Sequence, residues 1–152
     1  TTEGAPAPIF TYDAKKPKGP KIHEVHLPFS SSSDVYWRWN SGQKAWLRFH
    51  GTVPHTYSNG VQVNAKNVVV QLVKVENTDI HDVNGVVSPE AVTVGSGTAY
   101  VFRNGRMIKG TWHRRSLDDI TTFVDHAGHV IPLAPGNTWV ELLPNTIPVT
   151  TS

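Results

Sequence analysis

Cysteine is absent from the sequence, and methionine occurs once. The missing thiols exclude disulfide staples, thiol catalysis and cysteine-ligated zinc together, while leaving the compartment open. Long apolar runs are missing too: no stretch approaches the about 18 residues that a membrane-spanning helix needs. An excess of charge of one sign is also lacking. Fourteen Lys and Arg against twelve Asp and Glu leave a formal net charge of +2, although the pI is near 9.0. That balance does not supply the concentrated basic face that nucleic-acid binding requires, so nucleic acid is not an expected partner. What is present is 152 residues, 38% hydrophobic, enough for one domain with its own core and unlike a disordered tail. Eight histidines allow the charge to climb as the pH falls below neutrality. The opening Thr1-Thr2-Glu3-Gly4 is neither a signal peptide nor an initiator methionine. The chain therefore reads as a trimmed piece or a mature fragment, with any export signal or lipid anchor expected to lie outside it.

Residues 1–21 carry Pro6, Pro8, Pro17 and Pro20 among Lys15, Lys16, Lys18 and Lys21, which reads as a linker. A β-rich domain is expected over 22–144 and an irregular tail over 145–152. Within the domain, Asn40-Ser41-Gly42, Ser58-Asn59-Gly60, Asn84-Gly85, Asn104-Gly105 and Asp125-His126-Ala127-Gly128 place Gly where hairpins need positive φ. The segments between are β-branched and aromatic, the valine-rich Asn67 to Val75 most of all. The expected class is all-β, an antiparallel meander forming a sandwich or a partly open barrel. A short helical turn at Ser116 to Ile120 is the one feature that would make it α+β. A two-residue turn at Asn104-Gly105 pairs Arg103 with Arg106, Phe102 with Met107 and Val101 with Ile108. Both faces of that hairpin are apolar, so it belongs inside the fold. The first hairpin has two open registers. A two-residue turn at Ser41-Gly42 sets Trp46 opposite Trp37, and a three-residue loop over Asn40-Ser41-Gly42 sets it opposite Tyr36.

With these segments in place, a resemblance emerges. Trp46-Leu47-Arg48-Phe49, Pro54-His55 and Val63-Asn64-Ala65-Lys66-Asn67-Val68-Val69-Val70 are similar to the C-terminal domain of the YerB-like bacterial lipoproteins. So are Gly95-Ser96-Gly97-Thr98-Ala99, Phe102-Arg103-Asn104-Gly105, Gly110-Thr111-Trp112 and Leu133-Ala134-Pro135-Gly136-Asn137-Thr138-Trp139-Val140. The resemblance covers roughly residues 34–144. It implies an extracytoplasmic protein anchored through a lipidated cysteine upstream, with a separate N-terminal domain and no assigned activity. Where the family pattern has an Asp two positions after the His at 55, this chain has Tyr57.

The residues themselves offer few constellations. His23 and His26 are three apart and point to opposite faces of a strand, so they do not chelate one ion. A two-residue turn at Ala127-Gly128 would set His126 opposite His129, yet two ligands are too few for a zinc site. No metal or cofactor is expected. Neither a nucleophile elbow nor a phosphate loop is present, and Gly95-Ser96-Gly97 reads as backbone close-packing or a bulge. Acid–base chemistry, if any, would draw on Asp118, Asp119, Asp125 and His113. Asp125 sits where an Asx turn needs it. Glu141, between Val140 and Leu142, is expected to face solvent. Trp37 and Trp39 share a strand face, flank Arg38, and form with His55 the candidate ligand-binding set. Buried packing competes with that role for each indole. Two functions follow: an envelope binding module for a protein partner or a cell-wall glycan, or a cell-wall hydrolase using the Asp and His groups.

Overall fold

The computed structural model describes residues 11–81 and 87–152. Asn84-Gly85 lies outside the described residues. Within them no helix forms, and the chain folds as twelve strands in two sheets that share no strand. The first sheet contains β1 (Glu24–Ser30), β2 (Ser33–Asn40), β3 (Ala45–His50), β4 (Val53–Pro54), β5 (Asn64–Ala65) and β12 (Thr150–Thr151), in the order β12-β1-β2-β3-β4 with β5 on β3. The second contains β6 (Asn67–His81), β7 (Val87–Val92), β8 (Gly95–Arg103), β9 (Arg106–Arg114), β10 (Thr122–Asp125) and β11 (Thr138–Pro144), in the order β10-β9-β8-β6-β11 with β7 on β6. The pairs are antiparallel except β6 with β11, which is parallel. The expected all-β class holds in its sandwich form, and Ser116 to Ile120 makes a turn rather than a helix.

The valine run of β6 has a physical reason to be continuous rather than alternating. Val68 and Val70 point into the space between the sheets, with Val25, Leu27, Val35, Trp37, Trp46, Phe102 and Leu143. Val69 and Val73 point to the opposite face, into a second cluster with Val101, Trp112, Phe123, Ile131 and Leu133. A strand covered on both faces loses the polar half of its pattern. The β8–β9 hairpin follows suit, with Arg103 opposite Arg106, Phe102 opposite Met107 and Val101 opposite Ile108. Asn104 at φ 53° and Gly105 at φ 70° form the turn that sets this register.

Gly97 explains the small-residue cluster at the start of β8. A Cβ there would stand 2.6 Å from Trp112 Nε1 and 2.9 Å from the Leu72 carbonyl oxygen. Those two atoms are joined by a 2.8 Å hydrogen bond in which the indole donates. The absent side chain is what admits that contact, so the close-packing alternative describes this strand.

The first hairpin adopts neither expected register. Trp39 lies opposite Trp46, and Trp37 opposite Arg48. The connection is the four-residue loop 41–44, because Asn40 Oδ1 accepts from the Gln43 amide at 2.9 Å and Lys44 takes φ 50°. The second turn also differs from its expectation. Asp125 N donates to the His129 carbonyl at 2.8 Å, so Asp125, not His126, stands opposite His129. The Asx turn is present: Asp125 Oδ1 accepts from Ala127 N and His129 N.

Both ends of the described chain are tied to the sandwich. Tyr12 bridges Leu133, Lys21 bridges Arg106, and Met107 N donates to the Pro20 carbonyl. Arg103, only 1% exposed, donates to the carbonyls of Asp13, Lys15 and Pro132. Residues 11–21, read from composition as a linker, thus lie along the β8–β9 hairpin. After β11, Ile147 and Val149 pack on the inter-sheet core and Thr150–Thr151 pair with β1.

Candidate functional site

The indoles of the first hairpin part company. Trp37 is fully buried, and its Nε1 donates to Glu141 Oε1 at 3.2 Å. Trp39, two residues on, shares that face but lies nearer the sandwich end and is only half-buried. Its ring tilts against Trp46 at 5.2 Å, and Gly105 lies over its five-membered ring. A Cβ at Gly105 would stand 2.9 Å from Trp39 Nε1. Trp39 and Asn104 form a wall common to two adjoining clefts. One, of about 290 Å³, is lined also by Lys16, Lys21, His23, Ser41 and Arg106. The other, of about 240 Å³, is lined also by Lys44, Lys66, Ala134 and Pro135. Trp39 therefore remains a candidate for ligand contact, while Trp37 is a core residue that no surface ligand reaches.

The other members of that set lie elsewhere. Arg38 is on the outer face of the first sheet, where it pairs with Glu24 at 2.7 Å and lies over the rings of Phe49 and Tyr36. Beside it, His26 stacks on Tyr36 at 4.2 Å and meets Asp34 at 2.5 Å. His23 and His26 indeed fail to converge, since His26 belongs to this face and His23 lines the first cleft. His55 belongs to a polar knot between the sheets that the sequence reading missed.

Arg48 on β3 is the centre of that knot. Its Nε donates to Glu141 Oε1 on β11 at 2.9 Å, with both side chains at least nine-tenths buried. Its Nη1 donates to His55 Nδ1 at 2.8 Å, and His50 Nε2 lies 3.5 Å from the same nitrogen. The guanidinium lies between the rings of Trp139, at 5.2 Å, and Trp37, at 5.8 Å. Arginine has no lone pair to offer, so His55 accepts through an unprotonated Nδ1. Burial, then the neighbouring Arg48 charge, then His50 hold the His55 pKa below its ordinary value, with Glu141 opposing. Glu141 thus faces inward, contrary to expectation, while Val140 and Leu142 on either side are each 41% exposed. The signal was available in the period of two. Glu141 shares its face with Trp139 and Leu143, and Arg48 shares its face with Trp46. Such a knot fixes one sheet over the other; its ionic centre is closed to solvent.

The four acid–base candidates are partly assembled. His113 and Asp119 line one cleft of about 420 Å³ with Arg115, Ile120 and Thr122. Asp119 Oδ2 accepts from Arg115 Nε at 3.1 Å. Asp118 is exposed and does not line this cleft, and one Asp125 oxygen is occupied by its Asx turn. Among the described residues no three His, Asp or Glu side chains stand close enough to hold a metal.

Comparison with known proteins agrees with this architecture. The crystal structure of YerB protein from Bacillus subtilis is similar, with a TM-score of 0.69 at 16% identity over 93% of this chain. The chain spans about half of that protein, 46% of its length, and the likeness at this identity is one of fold. No curated protein matches. The family described as "Protein of unknown function (DUF3048) C-terminal domain" matches residues 25–140. A match over that share of the sequence makes the chain a member of this family, a YerB-like C-terminal domain of unassigned function.

Proposed function

We infer that this domain is an extracytoplasmic, envelope-associated binding module whose ligand is a cell-wall glycan taken at Trp39. The observation that carries the reading is the half-buried indole standing as the shared wall of two adjoining clefts. The part of the indole left uncovered, flanked by amide and hydroxyl groups, here Asn104 and Ser41, offers a sugar an apolar contact and hydrogen bonds together. Trp39 is also anchored, by Trp46 beneath it and Gly105 over it, so little ordering cost remains for binding. The test is co-sedimentation of the domain with purified wall sacculi, with indole N–H resonances followed by NMR on soluble wall fragments. Pelleting with the sacculi and movement of the Trp39 resonance is the expected result. A protein that stays in the supernatant, or a perturbation that maps to the outer face around Arg38, removes the reading. The envelope location rests on the family resemblance, and fractionation of cells expressing the full-length protein tests it: recovery in the cytosol removes it.

A second reading, wall hydrolysis, is favoured by one observation, the presence of His113 and Asp119 in the same cleft. A carboxylate and an imidazole at one opening are the minimum for general acid–base work, although the paired-carboxylate arrangement is not formed there. Incubation with purified peptidoglycan decides it. Soluble fragments that disappear with His113→Ala support hydrolysis, and intact peptidoglycan removes it.

A further inference from the structure

We propose that the glycan bound at Trp39 is anionic, a sugar or polyol polymer carrying phosphate or carboxylate groups, held in both clefts at once. This rests on the reading of Trp39 as the binding wall and specifies its chemistry. Lys16, Lys21 and Arg106 line one cleft, and Lys44 and Lys66 line the other. No Asp or Glu lines either cleft among the described residues, and none of these five cations forms an ion pair there. The segregation is large for so balanced a chain. With these five set aside, nine Lys and Arg remain against twelve Asp and Glu, so the rest of the protein is net acidic. A positive focus on an acidic body attracts anions to one place rather than everywhere.

The cations are positioned without being neutralised. Lys66 Nζ donates to the Gln43 and Lys44 carbonyls at 3.0 and 3.1 Å, which leaves its charge uncompensated. Arg106 Nη1 donates to the Gly19 carbonyl at 2.8 Å and keeps its other donors. Gly19 has no room for a side chain, since a Cβ would collide with the Met107 carbonyl oxygen. The segment bearing Lys16 and Lys21 is therefore pressed onto the β8–β9 turn, and Arg103 staples it from beneath. Neutral donors add to the excess. Asn104 Oδ1 accepts from Arg103 Nε at 3.2 Å, so its amide nitrogen is left to donate. The Trp39 indole N–H makes no hydrogen bond among the described residues. A cleft pair with many donors, few acceptors and one indole fits a chain of anionic groups joined by sugars or polyols. Single-stranded nucleic acid fits less well, because it uses successive aromatic platforms and Trp39 is the one Trp, Tyr or Phe lining these clefts, with the His23 imidazole beside it in the first.

The experiment measures binding by the intact domain of four probes: poly(glycerol phosphate), polygalacturonate, neutral dextran and a single-stranded oligo(dT). At least one anionic polymer is expected to bind, with affinity falling as salt rises. Lys21→Glu/Lys44→Glu, one exposed position from each cleft, is expected to weaken that binding about tenfold or more, as reversal of two ionic contacts should. Lys74→Glu/Lys109→Glu makes the same change of net charge at exposed positions that line neither cleft and is expected to leave affinity within about twofold, the behaviour of a local rather than a global field. Equal loss in both variants would overturn the proposal, as would no binding to either anionic polymer. Tighter binding of oligo(dT) overturns it in favour of nucleic acid. Binding of dextran or neutral wall fragments that ignores the Lys21→Glu/Lys44→Glu change overturns the anionic ligand while leaving the module at Trp39 intact. Unchanged circular dichroism of both variants ensures that each result reports binding.

Discussion

Glu141→Leu removes the one carboxylate that Arg48 and the Trp37 indole share. Leucine is close to glutamate in volume and suits a strand, so the backbone of β11 has no reason to change. What changes is that a guanidinium and an indole N–H, both inside the sandwich, lose their acceptor. Breaking a buried pair by deleting one partner costs about 3–5 kcal/mol, because the remaining charge keeps its desolvation penalty without its compensation. For a domain of this length each kcal/mol moves the melting temperature by about 2–4 °C, so a fall of roughly 6–20 °C is expected. Arg48→Met/Glu141→Leu separates the charge from the packing. It removes the stranded guanidinium and leaves unpaired the buried Trp37 donor, a residual cost of about 1–3 kcal/mol, together with the part-exposed His55 Nδ1 to which Arg48 had donated. The double variant must therefore be more stable than the single one. Urea unfolding at pH 7.5, with the slope compared across all three proteins, provides the measurement. A single variant within 1 kcal/mol of the parent, on the scale of about 1 kcal/mol that an exposed pair contributes, would refute the reasoning. So would a double variant no better than the single one.

Three further outcomes follow from the same geometry. His55 has a folded pKa below the ordinary 6.5, so the unfolded chain takes up its proton first. The stability from its contact with Arg48 is present above that value and is lost as the pH falls from it through the folded pKa. His55→Asn, which keeps an acceptor for Arg48, should flatten the acid limb of unfolding free energy against pH, and an unchanged slope refutes this. Gly97→Ala drives a methyl into the Trp112–Leu72 hydrogen bond and should cost about 1–3 kcal/mol, the usual penalty of overpacking, by thermal unfolding. A neutral Gly97→Ala would show that β8 shifts freely. Arg103→Met removes the donors that hold Asp13 and Lys15, and amide exchange over residues 11–21 should then accelerate while β6 and β8 stay protected. Uniform exchange across all these segments would refute the local role of Arg103.

The fold was legible where one residue type decides one backbone state. Asn104-Gly105 required a two-residue turn, and the register of the longest hairpin followed from it. The valine run of β6 and the two apolar faces of β8–β9 required burial on both sides, and both core clusters supply it. The first hairpin was not legible, because its turn is set by the Asn40 side chain capping Gln43 and by a lysine at positive φ, neither of which glycine position reveals. The inward turn of Glu141 was hidden for a different reason. A buried carboxylate is stable only with its partner, and Arg48 is 93 residues away, so reading either strand alone returns a polar residue assigned to solvent. Trp39 and Trp37 were nominated together as aromatics clustered on one hairpin, because periodicity puts them on one face, and only the position along the sheet separates a half-buried ring at the rim from a buried ring in the core.

The division between matched and unmatched residues bears on the ligand proposed for the Trp39 clefts. Family similarity runs over residues 25–140, which include Trp39, Asn104, Gly105 and the β2–β3 and β8–β9 turns that hold them. Lys16 and Lys21 precede that range, on the segment stapled by Arg103. The aromatic wall is thus built by the strands of the sandwich, whereas part of its charge is delivered by a strap laid across them. A strap of different sequence, docked through the same backbone contacts at Leu133 and Met107, would present the same indole beside a different electrostatic field. Exchanging only residues 15–18 for uncharged ones should accordingly weaken anionic ligands while sparing neutral ones. Loss of both together would mean that the strap shapes the wall itself.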